Sequence, residues 1–358
     1  MQLVNKVPEG SKSKQSYANT RISGKEQYYT NESTVDVCLQ VLMDEGIDLS
    51  GRTVLEPCGG TGEFIEGLKK LKIKDLEIIS CDIEPKHPDV VKADYLKDDP
   101  IFKNGKKLSD YSNLICITNP PFGRNSQLAT RFFKKAAENC EYICYIVPKS
   151  WRKYSIINRL PENYELIADK ELPSDSFYLS DGSRRDEGVL QTVFQIWRRN
   201  RHPRPKIKIP DYGLIKRIQP VRRKVYVYRE VKEEVFKKDG NKFIPVTQTY
   251  YTRDDKRQSR PMYVMGANFS IIYAGAGVGK CERIKEDVID ANTAVMYLYI
   301  KEEKYMKALE KMDFSELASD SAYVDSLSID HINRKLNKEF GLKTQDLSWL
   351  EDIWENSK

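Results

Sequence analysis

Short apolar runs alternate with segments of helical periodicity between residues 33 and 197. The apolar runs predict strands at 53–56, 76–81, 114–117, 142–148, 165–172 and 189–197. Three segments between them carry apolar residues at helical spacing, namely 33–45, 63–70 and 128–139. Strands that alternate with helices favour a parallel sheet with helices on its faces. This half of the chain therefore predicts an α/β, Rossmann-like sheet of about seven strands.

The pattern changes after residue 197. Residues 198–204 are rich in arginine and proline, which suits a domain boundary. Beyond them, 224–229 and 242–246 alternate apolar and polar residues, and the Asp-Gly pair at 239–240 indicates a hairpin turn. We therefore expect a mobile arm over 1–24, an α/β domain over 25–199 and an α+β domain over 200–358.

A glycine-rich turn, Glu56-Pro57-Cys58-Gly59-Gly60-Thr61-Gly62, joins the first predicted strand to a helix. Glycines let a ligand approach the backbone, and the helix N-terminus follows directly. Asp82 ends the second predicted strand about 20 residues later, where an acidic side chain can bind ribose hydroxyls. Asp94 lies where a third strand would end, and its carboxylate can accept from the amino group of an adenine ring.

A second motif, Asn119-Pro120-Pro121-Phe122, follows the apolar run at 114–117. The two prolines fix φ and restrict the residues before them, so the carbonyls of Asn119 and Pro120 are held still. The Asn119 side chain adds a further acceptor, and Phe122 adds a flat apolar ring. Two acceptors beside a ring suit an exocyclic amino group on a planar base. The alternative is a loop whose prolines only end a strand, with Phe122 in the core.

These motifs follow one another at the carboxyl ends of successive strands, where open α/β sheets bind ligands. In that order, residues 25–198 resemble the catalytic domain of S-adenosylmethionine-dependent amino methyltransferases, especially the gamma class of N6-adenine DNA enzymes. The segment Tyr28-Tyr29-Thr30 resembles the N-terminal cofactor segment of that class, although Asn31 replaces the usual proline. The resemblance implies a methyltransferase sheet, S-adenosyl-L-methionine as cofactor, and extrusion of the target base from the duplex.

The resemblance also assigns roles to residues. The catalytic loop would be Asn119, Pro120, Pro121 and Phe122. The cofactor would lie against Tyr29, Thr30, Glu56, Cys58, Gly59, Gly60, Gly62, Asp82, Ile83, Asp94, Tyr95 and Asn119. Phe122 and Phe177 would stack on the target base, with Tyr178 as second choice for the latter. The alternative for Phe177 is simple packing beneath its loop.

The charge of the chain is uneven. Residues 198–260 contain 20 Lys and Arg against 7 Asp and Glu, whereas the net charge of the whole chain is +6. Positive charge concentrated in one segment suits a polyanion, although a solvated linker is the alternative. Candidate phosphate-binding side chains are Lys149, Arg152, Arg222, Arg223, Lys224 and Lys280.

Residues 273–281, Tyr-Ala-Gly-Ala-Gly-Val-Gly-Lys-Cys, suggest a phosphate-binding loop at first sight. Ala274 replaces its first glycine and Cys281 replaces its Ser/Thr, so nucleotide hydrolysis there is excluded. Residues 220–340 instead resemble the target-recognition domains of type I restriction specificity subunits. That resemblance implies a domain that places the enzyme on a DNA sequence, as in restriction-modification.

The cysteine and histidine counts bear on the cellular compartment and on metal binding. The chain has seven cysteines without a Cys-x-x-Cys pair and three histidines, so we expect free thiols in an intracellular, cytoplasmic protein and no metal site. The expected function is methyl transfer to the N6 of adenine in double-stranded DNA by a monomer, with a cognate restriction nuclease as a candidate partner and no membrane. The alternatives are amino groups of RNA adenine or guanine, cytosine N4, a protein glutamine, and a DNA-binding module without catalysis.

Overall fold

The computed structural model describes residues 29–123, 126–178, 191–222, 225–239, 242–259, 262–275, 277–314 and 327–357. The arm predicted over 1–24 lies outside these residues. The described residues form two compact units. Among the described residues, the first comprises those within 29–209 and 345–357, and the second those within 210–314 and 327–344.

The first unit follows the predicted alternation of strands and helices. Its strands are β1 (Tyr29–Thr30), β2 (Thr53–Glu56), β3 (Glu77–Asp82), β4 (Val91–Lys92), β5 (Leu114–Thr118), β6 (Cys140–Pro148), β7 (Tyr164–Glu171), β8 (Phe177–Tyr178) and β9 (Thr192–Arg199). Its helices are α1 (Glu32–Asp44), α2 (Glu63–Lys70), α3 (Gln127–Asn139) and α4 (Tyr154–Ile157).

Seven of these strands form one sheet in the order β4-β3-β2-β5-β6-β9-β7. Strand β9 runs antiparallel to both of its neighbours, and the pairs on the other side of β6 are parallel. The chain moves outward from β2 in one direction and then returns to β5 on the other side. This is the doubly wound, Rossmann-like methyltransferase sheet that the sequence predicts, and that prediction is confirmed. The carboxyl ends of β2, β3, β4 and β5 meet at one edge, at the point where strand order reverses.

Strand β5 shows why its sequence is a continuous apolar run. Leu114 and Cys116 pack into one core cluster, and Ile115 and Ile117 pack into the cluster on the opposite face. A strand covered on both faces buries every side chain, so the usual alternation of polar and apolar residues is lost. The amide of Asn119 follows directly at the end of this buried strand.

The C-terminal helix α7 (Ser348–Glu355) belongs to the first unit. Leu347 and Leu350 are buried in one core cluster of that unit, and Trp349 and Trp354 pack against it. The sequence assigned this segment to a second domain over 200–358, but apolar packing groups it with the methyltransferase sheet. Independent domain behaviour of either unit stays a prediction.

The second unit is built on antiparallel strands. One sheet has the order β10 (Lys216–Ile218), β18 (Val295–Tyr299), β15 (Phe269–Ile272), β16 (Cys281–Arg283). Another joins β11 (Val221–Arg222), β14 (Met262–Met265) and β17 (Val288–Asp290), and β12 (Val225–Asp239) pairs with β13 (Lys242–Ser259). Helices α5 (Glu303–Lys311) and α6 (Ile329–Glu339) contribute Leu309 and Leu336 to its core.

The hairpin predicted in this unit is confirmed. Strands β12 and β13 form a hairpin in which Asp239 pairs with Lys242, and Gly240 of the predicted turn lies outside the described residues. The glycine-rich segment after Ile272 connects antiparallel strands, since Ile271 pairs with Cys281. A phosphate-binding loop would lead from a strand into a helix, and this one leads into a strand.

Among the helices that the structure describes, none is long and apolar enough to span a bilayer.

Candidate cofactor and catalytic site

The glycine turn after β2 is bound to the end of β3 by its backbone. Gly59 N–H donates to the carbonyl of Cys81 at 3.1 Å, and Gly60 N–H donates to Asp82 Oδ2 at 3.0 Å. The Gly60 carbonyl accepts from the N–H of Lys86 at 2.9 Å. These bonds fix the turn at the edge of the sheet, directly before the N-terminus of α2.

Two glycines of this turn have no room for a side chain. A Cβ at Gly59 would collide with the hydroxyl of Ser80, and one at Gly62 would collide with the ring of His87. Gly62 also has φ +84°, a left-handed conformation that side chains disfavour. The close packing of Ser80 and His87 against the turn therefore requires glycine at both positions.

Glu56 ends β2 as a buried carboxyl, only 3% exposed. The Ser80 hydroxyl donates to the Glu56 backbone carbonyl at 2.9 Å and lies 3.5 Å from its Oε2. Burial, followed by the negative charge of Asp82, raises the pKa of Glu56 to about 8. The Ser80 hydroxyl favours the charged form, but a buried carboxylate beside other acids stays unfavourable unless a positive charge lies near it. The position therefore suits a cationic ligand.

Asp82 connects the turn to the second strand. Its Oδ2 accepts from Gly60 N–H, and its Oδ1 accepts from Glu84 N–H at 2.8 Å. Ile83 beside it is 49% exposed, which is unusual for a large apolar side chain and leaves it open for packing on a ring. The structure thus brings Glu56, Asp82 and Ile83 to the same edge, as predicted.

The third strand end differs in part from the prediction. Strand β4 ends at Lys92, two residues before Asp94. The Asp94 carboxylate bonds Leu96 N–H at 3.1 Å and the ammonium of Lys97 at 2.8 Å, and the bond to Lys97 is the main reason that its pKa is lowered. The Tyr95 ring is 2% exposed and stacks on Phe132. Tyr95 therefore packs in the core beside Asp94, and its contact with the cofactor stays a prediction.

Cys58 lies inside the turn and is partly exposed. Desolvation by burial, followed by the negative charge of Asp82, raises the pKa of its thiol well above the usual value. A protonated thiol is a poor nucleophile, because the thiolate is the reactive form. Cys58 is thus suited to packing against a ligand and unsuited to covalent chemistry.

The Asn119-Pro120-Pro121-Phe122 loop begins where β5 ends. Asn119 is half-buried, and its Nδ2 donates to the hydroxyl oxygen of Thr30 at 3.2 Å. Pro120 is buried, and the carbonyl of Phe122 accepts from Ala129 N–H at 3.3 Å in the first turn of α3. The loop is therefore fixed at both ends, by a buried strand and by a helix.

Two aromatic residues predicted for the site are buried. Phe122 is 4% exposed and Phe177 is 3% exposed, and both belong to the same apolar cluster. Both rings therefore pack in the core, and their stacking on a target base stays a prediction. The physical reason is that an isolated aromatic ring beside a loop gains more from core packing than from water.

Tyr178 and Tyr29 lie over the glycine turn. Strand β1 pairs with β8, and the two tyrosine rings stack with centroids 5.5 Å apart. The Tyr29 ring lies 3.3 Å from the Cβ position of Gly60. The Tyr178 hydroxyl lies 3.2 Å from the Thr61 hydroxyl and donates to Glu63 Oε1 at 3.1 Å. The pairing of Tyr-Thr at 29–30 with Phe-Tyr at 177–178 had no signal in the sequence beyond the shared aromatics.

The predicted phosphate-binding side chains do not form one set. Arg152 is 5% exposed and bonds Asp169 at 2.6 Å, Glu171 at 3.0 Å and the Ser357 hydroxyl at 2.7 Å. A buried guanidinium held by carboxylates serves the fold, which corrects its assignment to DNA. Lys149 pairs with Glu171 at 2.8 Å, and Lys280 is exposed. Arg222 ends β11, whereas Arg223 and Lys224 lie outside the described residues.

One group of metal-ligating side chains occurs within the described part of the chain, formed by Glu66, His87 and Asp89. Lys69 pairs with Glu66 at 2.8 Å and with Asp89 at 2.7 Å, and Lys103 also pairs with Asp89. The carboxylates are thus already neutralised by lysines. We assign no ion to this group.

Comparison with known proteins identifies no family. No protein-family model matches the chain, and no curated protein matches it. A candidate RNA methyltransferase from Pyrococcus horikoshii is 17% identical over 49% of this chain and 87% of its own, with a TM-score of 0.36. TrmN from Thermus thermophilus is 13% identical over 47% and 50%, with a TM-score of 0.31. A type I restriction-modification methyltransferase subunit from Streptococcus thermophilus is 12% identical over 52% and 48%, with a TM-score of 0.33.

Similarity at this level identifies neither a reaction nor a substrate. The strand order of the seven-stranded sheet carries the assignment to the Rossmann-like methyltransferase fold.

Proposed function

We propose that this chain is an S-adenosylmethionine-dependent methyltransferase that modifies the N6 amino group of adenine in DNA. The observation that carries the proposal is the placing of the Asn119-Pro120 acceptors at the end of β5, next to the strand that carries Glu56 and the glycine turn. A donor of methyl groups and an acceptor nitrogen would then meet at one edge of the sheet.

The residues of the turn fit the proposed cofactor. When bound, S-adenosylmethionine supplies an electrophilic methyl group on a positively charged sulfonium. The buried Glu56 carboxyl beside Asp82 favours a cation, and the glycine turn leads directly into the N-terminus of α2. Asp82 at the end of β3 is suited to ribose hydroxyls, and the exposed Ile83 is suited to one face of the adenine.

Asn119 and Pro120 supply the chemistry toward the target nitrogen. An amino group on adenine is a weak nucleophile because its lone pair is delocalised into the ring. Two carbonyl oxygens that accept both N–H bonds favour a pyramidal nitrogen, whose lone pair then points at the methyl group. As the N–C bond formed, the S–C bond of the sulfonium would break to leave a neutral thioether, and the excess proton on nitrogen would pass to water. Orientation of this kind accounts for up to about 7–11 kcal/mol of the barrier in ideal cases.

DNA is the proposed substrate because of the second unit and the charge near the boundary. Residues 198–260 carry 20 basic against 7 acidic residues, which suits contact with phosphates. The target base must leave the duplex to reach the loop, which requires a few kcal/mol of unstacking. Base-edge contacts by the second unit would select the site. Double-stranded DNA is thus the proposed partner, with the enzyme acting as a monomer in an intracellular setting.

Paired substitutions test the role of the loop. Asn119→Ala should abolish transfer of labelled methyl groups to duplex DNA while DNA binding changes little. Asn139→Ala is the matched control, because Asn139 is also half-buried and its amide donates to the Leu108 carbonyl at 3.4 Å. Equal turnover by both variants would refute the assignment of Asn119.

A further inference from the structure

Thr30 was expected to touch the cofactor, but its hydroxyl is bound elsewhere. The residue is 5% exposed, and its Oγ1 accepts a hydrogen bond from Asn119 Nδ2 at 3.2 Å. The two residues are 89 positions apart in the chain, so tertiary structure alone brings them together. A hydroxyl this buried and already bonded is poorly placed to receive a ligand.

The position of Thr30 is itself fixed by several bonds. It pairs with Phe177 in the ribbon of β1 and β8. The next residue, Asn31, donates its N–H to the Ser176 carbonyl at 3.0 Å and its side-chain amide to the Asp175 carbonyl at 2.6 Å. The Asn31 side chain also caps α1 by accepting from Thr34 N–H at 2.8 Å. Thr30 is therefore a rigid support for a side chain that rests on it.

The orientation of the Asn119 carboxamide decides whether the proposed chemistry works. The group has an oxygen that accepts and a nitrogen that donates. A substrate amino group presents N–H donors, so it needs the oxygen. When the Thr30 hydroxyl accepts from Nδ2, the oxygen lies on the other side of the amide. In the opposite orientation the hydroxyl would donate to the oxygen, and the amide would present N–H to the N–H of the substrate, which is repulsive.

We propose that Thr30 is a positioning residue that holds the Asn119 carboxamide in the orientation required for methyl transfer. This inference rests on the proposed function of the loop. Tyr29, the residue before it, packs against Gly60 of the cofactor turn. Adjacent residues of β1 thus contact the cofactor turn and the catalytic amide, so this short strand links the two halves of the site.

Conservative substitutions separate positioning from cofactor binding. Thr30→Val keeps the shape and removes the hydroxyl, and Thr30→Ser restores it. We expect the single-turnover rate at saturating cofactor and DNA to fall about 10- to 100-fold in Thr30→Val, as for the loss of one hydrogen bond to an amide. Thr30→Ser should recover most of the rate. Cofactor affinity, measured by calorimetry, should stay within about twofold of wild type in both.

Thr130→Val is the matched control. Thr130 is also 5% exposed, and its hydroxyl donates to the Ser126 carbonyl at 2.8 Å, so this variant loses a buried hydroxyl bond in α3. It should lose stability without a comparable loss of rate. If Thr30→Val weakens cofactor binding and leaves the saturated rate unchanged, Thr30 is a cofactor ligand and the proposal is wrong.

A second measurement judges the contact without any substrate. In protein labelled with ¹⁵N-asparagine, the side-chain amide signals of Asn119 and Asn139 can be assigned by substitution. Thr30→Val should shift the Asn119 signal and leave that of Asn139 in place, and Thr130→Val should leave both. An unmoved Asn119 signal would overturn the proposal. An inactive wild type with a shifted signal would overturn the proposed function and keep the contact.

Discussion

Glu56→Gln tests the electrostatics of the site most sharply. The substitution keeps the size and shape of the side chain and removes its ability to ionise. In the ligand-free protein, burial and the nearby Asp82 raise the pKa of Glu56 from 4.5 to about 8. The protein must therefore either keep this carboxyl protonated at neutral pH or accept a buried negative charge, and both have a measurable consequence.

The size of the effect follows from the shift. One pKa unit corresponds to about 1.4 kcal/mol, so a rise from 4.5 to about 8 makes ionisation of Glu56 about 5 kcal/mol less favourable in the folded chain. The unfolded chain loses the proton first as pH rises. The stabilisation is complete below the unfolded pKa and is lost as pH rises through the folded pKa. The linkage relation gives a loss of about 2–3 kcal/mol between pH 5 and pH 7.

Tryptophan fluorescence is a suitable assay because all four tryptophans lie in the first unit, Trp151 and Trp197 in its body and Trp349 and Trp354 near the C-terminus. Urea midpoints of the ligand-free wild type should fall from pH 5 to pH 8. In Glu56→Gln the fall should be smaller by about 2–4 kcal/mol in unfolding free energy. Glu138→Gln, which removes an exposed carboxylate, is the control. Equal pH dependence of wild type and Glu56→Gln would refute the reasoning.

The same residue predicts a proton linked to cofactor binding. A sulfonium close to Glu56 favours the ionised carboxyl, so binding near pH 7 should release up to about one proton. Calorimetry in buffers of different ionisation enthalpy measures that number directly. Glu56→Gln should bind the cofactor more weakly and release no proton from this site, whereas equal proton release in both proteins would assign it to another group.

Three further substitutions and one deletion test the cofactor turn, the role of Arg152 and the role of the second unit. Asp82→Ala should weaken cofactor binding at least about tenfold, because it removes both the expected ribose acceptor and the anchor of the glycine turn; unchanged calorimetric affinity would exclude Asp82 from the site. Gly59→Ala should lower the melting temperature and abolish cofactor binding, since its Cβ would meet Ser80; normal binding would show that the turn adapts. Arg152→Met should destabilise the first unit by about 3–5 kcal/mol through an unpaired buried carboxylate, and intact stability with weaker DNA binding would restore its phosphate role. Replacing 210–344 by a short flexible linker should keep cofactor binding and remove site-specific DNA binding, because Lys208 N–H already bonds Gln345 Oε1 at 2.7 Å; retained site selection would exclude the second unit as the reader.

Much of the fold could be predicted because its signals are local. A strand buried on both faces, such as β5, must be continuously apolar, and a turn that approaches a ligand must be glycine-rich. The meeting of Glu56 and Asp82 followed from topology, since the carboxyl ends of adjacent parallel strands share one edge. These features depend on residue type and spacing alone.

The placements that the sequence did not predict belong to side chains that pack against distant segments of the chain. Phe122 and Phe177 have the residue type for stacking, but both lie in the core cluster beneath the site. Arg152 was predicted to bind phosphate, but its guanidinium donates to Asp169 and Ser357, which lie 17 and 205 positions away in the sequence. The grouping of α7 with the sheet depends on the same kind of long-range packing. No local sequence pattern shows which distant side chain will pair with a buried charge.

The most direct test of the central claim is the identity of the methylated product. Purified protein would be incubated with methyl-labelled S-adenosylmethionine and, separately, with duplex DNA, RNA and protein, and the labelled nucleic acid would be digested to nucleosides. The account predicts label in N6-methyladenine from duplex DNA, and no label when Asn119→Ala replaces the wild type. Label that appears only in RNA or protein, or in DNA at cytosine, would contradict it.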